Sequence, residues 1–114
     1  MADRIVLSAR HLAAARHATV FSGAGISVES GIPPFRGPGG LWSRVDPEFI
    51  EIGYFRRHPR ESWLKIKEIF YDFFGSAAPN AAHFGVAAME NAGLVRAVIT
   101  QNIDNLHQRS GSSE

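Results

Sequence analysis

The apolar positions of this chain alternate between helical spacing and short unbroken runs. Ile5, Ala9, Leu12 and Ala13 recur on one face, with Asp3 placed to cap them, which predicts a first helix. Ala18-Thr-Val-Phe21 is apolar almost throughout and stops at Ser22-Gly23, the pattern of a short buried strand. Between Gly23 and Trp42 lie six glycines and three prolines, so this stretch reads as loop with one helical turn near Ser27–Ser30. Loops of such length inside a compact domain are uncommon and are usually functional or disordered.

Pro47 to Tyr54 is expected to form a brief helix, and a stronger one follows Pro59. There Trp63, Ile66, Phe70, Phe73 and Phe74 make one stripe, with Lys65, Lys67, Glu68 and Asp72 off it. Pro79-Asn80 stops that segment and caps a helix from Ala81 to Asn91, which closes at Gly93. Leu94 to Ile99 is predicted as a second strand, with Arg96 its only charge, and Asp104 to Arg109 as a further helix. The order is helix, strand, long partly helical crossover, strand. That is a βαβ unit in an α/β fold, with a parallel sheet that two strands alone leave incomplete.

At 114 residues, 45% hydrophobic and 20% charged, the chain is at most one soluble domain. A net charge of +1 offers no electrostatic ground for nucleic acid or a membrane surface. The cluster Arg56-Arg57-His58-Pro59-Arg60 reads as a solvated helix start. With no cysteine there is neither a disulfide nor a thiolate metal site in this stretch. Met1-Ala-Asp-Arg4 lacks the layout of a secretory signal, so the cytoplasm is the default compartment. The chain stops at Ser110-Gly-Ser-Ser-Glu114, directly after its last motif, which reads as a truncation.

The candidate chemistry sits where the two strands end. In parallel α/β sheets, loops leaving the carboxyl ends of strands line the crevice where nucleotides bind. Gly23-Ala24-Gly25 lets a backbone approach a pyrophosphate, and a following helical turn offers free N–H groups. Val28 stands where the usual dinucleotide fingerprint has a third glycine, so a plain tight turn fits the three residues equally. Phe35 on its proline-stiffened loop could shield a flat ring or plug a core; Arg36 could pair with phosphate or with a surface acid. Gln101, Asn102 and Asp104 carry the donors and acceptors that ribose hydroxyls or a carboxamide need, or they cap the next helix. His107 and His83 read as structural histidines, the latter as part of a helix start.

Taken together, Gly23-Ala-Gly-Ile-Ser27, Gly31-Ile-Pro-Pro-Phe-Arg36, Gly40-Leu-Trp42, Pro79-Asn80 with His83, and Thr100-Gln-Asn-Ile-Asp104 with Leu106-His107 resemble the sirtuin family of NAD-dependent protein-lysine deacylases. The blocks stand in the family's order and cover nearly the whole chain. The resemblance implies a Rossmann-like fold, of which residues 1–114 are the N-terminal part, with a cofactor-binding loop region at 23–42 and a helical crossover at 47–92. It implies NAD as cosubstrate, held by Gly23, Ala24, Gly25, Ser27, Ile32, Phe35, Arg36, Trp42, Gln101, Asn102, Ile103 and Asp104. Ala24 and Gly25 would line the pyrophosphate site, with Ser27 beside it. Phe35 would lie on the nicotinamide side, and Arg36 near the phosphates and the nicotinamide ribose. Gln101 and Asn102 would contact that ribose, Asn102 also supporting catalysis, and Asp104 would hold the nicotinamide amide.

The implied reaction moves an acyl group from a protein or peptide lysine to ADP-ribose and releases nicotinamide, with a histidine as general base. That histidine belongs to a His-Gly pair beyond Glu114, and so do the zinc-binding cysteine pairs; the residues 1–114 alone are therefore expected to be inactive. Members preferring succinyl or malonyl groups carry a Tyr-x-x-Arg pair where this chain has Ile66 and Ile69, which implies acetyl or longer apolar acyl groups here. Two alternatives share some of these residues: a sirtuin-like NAD hydrolase or ADP-ribosyltransferase, and a non-catalytic nucleotide-binding fragment.

Overall fold

A computed structural model describes residues 1–114, the side chain of Ala2 excepted. The chain divides into two compact units, Met1–Gly23 with Pro79–Glu114, and Ala24–Ala78.

The first unit contains helix α1 (Ala2–Ala14), strand β1 (Thr19–Ser22), helix α4 (Ala81–Asn91), strand β2 (Ala97–Thr100) and the short helix α5 (Leu106–Arg109). The strands pair in parallel from Thr19↔Ala97 to Ser22↔Thr100, as the crossover order predicts. β1 has the predicted length but lies one residue later than Ala18-Thr-Val-Phe21, and β2 is shorter than the run Leu94 to Ile99, because only four of its residues find ladder partners. Phe21 and Ile99 are register partners and share a face by the alternation of the pleat. They are 68% and 54% exposed, which corrects the expectation of a buried strand: no further layer covers that face among the described residues.

Helix α4 follows its sequence signals closely. The Asn80 side chain accepts from Ala82 N–H at 2.9 Å while Asn80 N–H donates to His83 Nδ1 at 3.2 Å, a capping box with histidine in the usual Glu/Gln place. At its far end Gly93 turns left-handed (φ 75°), with Gly93 N–H on Glu90 O and Leu94 N–H on Met89 O. That double closure is a Schellman motif, and glycine supplies the positive φ without a Cβ penalty. The buried face of α4 is His83, Val86 and Ala87. The start of α1 differs from expectation. Asp3 lies inside the first turn, and the capping position is Met1, which makes no side-chain cap bond.

The second unit runs through a 3-10 turn (Ala24–Ser30), the glycine-rich loop, two further 3-10 turns (Leu41–Ser43 and Pro47–Ile50) and helices α2 (Ile52–Arg57) and α3 (Pro59–Ile66). Helix α3 widens into a π-helical segment, Lys67–Phe73, before a last 3-10 turn at Phe74–Ser76. A π turn takes in one more residue than an α turn, so the stripe drawn at constant helical period drifts off its face. Ser62, Ile69 and Phe74 are buried, Ile66 and Phe70 half-buried, and Trp63 and Phe73 exposed. Lys67 Nζ meets both carboxylate oxygens of Asp72, at 2.9 and 2.7 Å, a five-residue spacing that the wider turn brings together. No helix among the described residues is long and apolar enough to cross a membrane.

Candidate functional site

The last rung of the β1–β2 ladder, Ser22↔Thr100, is where the two motif-bearing loops leave the sheet. Gln101 N–H donates to Ser22 O at 3.1 Å, which extends the pairing one residue into the second loop. Asn102 then turns back: its Nδ2 donates to Gly23 O at 3.0 Å and its backbone N–H to Thr100 Oγ1 at 3.0 Å. Gly23 and Asn102, far apart in sequence, are thereby clasped directly. A Cβ on Gly23 would come within 3.5 Å of Gln101 Nε2, ordinary contact, so Gln101 closes over the same turn.

Asp104 Oδ1 accepts the Leu106 N–H at 3.0 Å, an Asx-type turn one residue ahead of the helix cap position. The helix that follows starts at Leu106, two residues later than the sequence pattern predicts, because Asn105 at its cap position is left-handed (φ 62°) and breaks the run. Asparagine tolerates that region better than most residues. Ile103 is 73% exposed, an apolar side chain left in solvent between two polar neighbours.

Beneath these loops lies a polar cluster that sequence reading does not assemble. His83 and His107 are almost wholly buried, with ring centroids 5.2 Å apart in an edge-to-face arrangement. His107 Nε2 is 2.8 Å from Ser22 Oγ, and Ser22 Oγ donates to Thr100 Oγ1 at 2.9 Å. Burial pushes the His83 imidazole below the usual histidine range; the nearby His107 acts in the same direction and Asp104 opposes it. Both histidines are buried and hydrogen-bonded within the fold. Only Ser22, a strand-end residue, carried no signal of its part.

The glycine-rich unit is organised by aromatic contacts. Leu41 N–H donates to Pro34 O at 2.8 Å and Trp42 N–H to Phe35 O at 3.0 Å, folding the loop back on itself. That closure stacks Phe35 on Trp42, centroids 5.4 Å apart, with Phe70 at 6.4 Å from Phe35 and Phe49 at 6.3 Å from Trp42. Gly37 and Gly39 turn left-handed. A Cβ on Gly40 would fall 2.8 Å from the Arg36 carbonyl carbon, so only glycine fits that crossing. Ile32 and Ser27 are buried, and Arg36 is exposed. At Gly25 an added Cβ would meet nothing within 4 Å, which leaves open space beside the backbone there.

Among the concavities of this unit, two involve the loop and the helices after it. One, of about 430 Å³, is lined by Pro33, Leu41, Val45, Ile69 and Phe73, with Arg44, Glu68 and Asp72 among its charged members. The other, about 590 Å³, is more polar and includes Tyr54 and Glu61. Tyr54 O–H donates to Glu61 at 2.7 Å, which raises the phenol above its usual range. Among the described residues no group of three or more histidines and carboxylates is placed to hold a metal ion.

Comparison with known proteins places these features. The profile of the Sir2 family matches residues 23–114. NAD-dependent protein deacylase 2 of Archaeoglobus fulgidus is 53% identical over 113 residues, covering 98% of this chain and 44% of that protein. A solved Sir2 enzyme superposes with a TM-score of 0.86 at 53% identity, covering 100% of this chain and 45% of its own. A solved complex of Sir2 with a p53 peptide and NAD+ superposes with a TM-score of 0.77 at 45% identity, covering 90% of this chain and 40% of its own. The chain thus spans less than half the length of the curated relatives it matches.

Proposed function

Because the chain belongs to the Sir2 family, we propose that it supplies NAD-binding residues to an NAD-dependent protein-lysine deacylase. The observation that carries this reading is the Asn102–Gly23 clasp at the last rung of a parallel pair, with the Gly25 backbone open to solvent. NAD would supply the electrophilic ribose carbon that accepts the acyl group once nicotinamide departs. Ala24 and Gly25 bring uncrowded backbone to its pyrophosphate, and the exposed Arg36 guanidinium adds charge there. Phe35 and Trp42 offer a stacked aromatic wall, and Ile32 and Ser27 are buried in the same stretch. Gln101 and Asn102 contact the ribose next to nicotinamide, Ile103 shields it, and Asp104 holds the carboxamide.

The partner is an acyl-lysine peptide, in keeping with the family name of the Archaeoglobus relative and the peptide in the solved Sir2 complex. The acyl group is apolar rather than succinyl. Ile69 is buried and lines a concavity with Leu41 and Phe73, where an apolar acyl chain is better matched than a carboxylate that would need an arginine at this position. The general base comes from the part of the family's domain that this chain does not span.

The test is nicotinamide release from NAD with acetyl-lysine and succinyl-lysine peptides, using the complete domain and the 114-residue chain side by side. Peptide-dependent release by the complete domain, faster with acetyl-lysine, and none by the short chain is the expected result. Release without peptide would replace the deacylase with an NAD hydrolase. Faster desuccinylation would overturn the acyl preference.

A further inference from the structure

His107 is buried, yet only one of its ring nitrogens is used. Nδ1 is enclosed and has no hydrogen-bond partner, while Nε2 sits 2.8 Å from Ser22 Oγ. Ser22 donates its own hydroxyl proton to Thr100 Oγ1 at 2.9 Å. With that proton committed, Nε2 must carry one and donate it to Ser22, which leaves Nδ1 an unprotonated acceptor. This is also the less costly assignment, since a buried N–H without a partner is rarer than an under-used acceptor. The line of donation runs from His107 to Ser22 to Thr100, and Thr100 Oγ1 accepts a second proton from the Asn102 backbone at 3.0 Å.

The relay crosses the sheet at its last rung and ends on the residue that grips Gly23. Without His107, Ser22 Oγ is free to rotate, and the Thr100 hydroxyl loses the partner that holds its rotamer. The acceptor for Asn102 N–H then wanders, and the Asn102 side chain with it. We propose that His107 is a positioning residue for NAD: through Ser22 and Thr100 it sets the orientation of Asn102 at the ribose. This rests on the NAD-binding role given to Asn102 above. His107 itself is buried and touches no ligand in this scheme.

The test has a binding-independent arm and a kinetic arm. In the 114-residue chain, amide exchange at Asn102 is measured against the ladder residue Val98. Losing one relay hydrogen bond in His107→Leu or Ser22→Ala should speed Asn102 exchange about tenfold and leave Val98 unchanged. His107→Gln, whose amide can donate to Ser22, should restore it. In the complete deacylase, the same two variants should raise the KM for NAD about tenfold with His107→Gln recovering most of the loss. Val86→Ala, which thins the buried face of α4 without removing a relay hydrogen bond, should lower Tm and leave that KM alone.

Unchanged Asn102 exchange in both Ser22→Ala and His107→Leu overturns the relay. So does a KM shift in Val86→Ala as large as theirs, because His107 would then act through stability alone. Should His107→Leu fail to fold, the smaller change Ser22→Ala decides. A complete domain with no NAD-dependent activity would sink the deacylase reading, and the exchange arm would still decide whether His107 orients Asn102.

Discussion

The strand-end unit and the glycine-rich unit hold their candidate NAD residues by opposite means. Around Gly23 and Asn102 the work is done by directed bonds: an amide on a carbonyl, two hydroxyls across a ladder rung, and an imidazole behind them. Around Phe35 and Arg36 it is done by stacked rings and by glycines that permit tight crossings. Directed bonds fix an angle and fail sharply when one partner is removed. Aromatic contacts tolerate small sliding, since offset and edge-on geometries are nearly equal in energy. The first arrangement suits a reacting centre; the second suits a segment that must yield to admit a large cofactor.

The largest expected effect is at the centre of the directed unit. Asn102→Ala removes the clasp on Gly23 and the proposed ribose contact together. A fall in kcat/KM for NAD of about 10²-fold is expected, on the scale of losing substrate orientation. A loss below threefold would break the contrast, because the angle at Asn102 would then not matter.

The glycines of the second unit sharpen it. Gly40→Ala places a Cβ 2.8 Å from backbone that cannot yield cheaply, so it should cost about 1–3 kcal/mol, read as a drop in Tm. Gly25→Ala meets open space and should leave Tm unchanged or slightly higher. If the Gly25 backbone lies against pyrophosphate, the same methyl raises the Kd for NAD, measured by calorimetry. A shift in Tm without one in Kd would make Gly25 a structural glycine.

The smallest effect concerns pH. His83 is buried and its Nδ1 accepts the Asn80 N–H, so protonation would abolish that acceptor. Its folded pKa is lowered, hence the unfolded chain takes up the proton first as pH falls. Stability from this group is full above about pH 6.5 and is lost as pH drops through that value toward the folded pKa. His83→Gln keeps a capping-box side chain that does not titrate. Thermal melts between pH 7 and 5 should fall less steeply for the variant; parallel curves would remove His83 as the cause.

Much of this was legible from residue order because the signals were local. Asn80, His83 and Gly93 bound α4 where punctuation predicts, and the parallel pairing of β1 and β2 follows from the long crossover. What was hidden depends on contacts distant in sequence or on departures from a constant period. Ser22 looks like any strand-end serine until the fold places it against His107, eighty-five positions away. The apolar stripe loses Phe73 where the turn widens, a change no propensity marks, and Trp63 is exposed in the regular turn before it. Phe21 looks buried because aromatic strand residues usually are, yet burial belongs to the neighbours and not to the residue.

The widened turn at Lys67–Phe73 also bears on chain length. A π segment is how a helix stores a surplus residue without unwinding. Relatives one residue shorter here could run as plain α-helix and bring Phe74 to the same depth by a different path. Insertions and deletions would then collect between Lys67 and Phe73 while Ser62 and Phe74 stay anchored at either side. The segment is a splice in the helix, and the Lys67–Asp72 pair is the stitch that closes it.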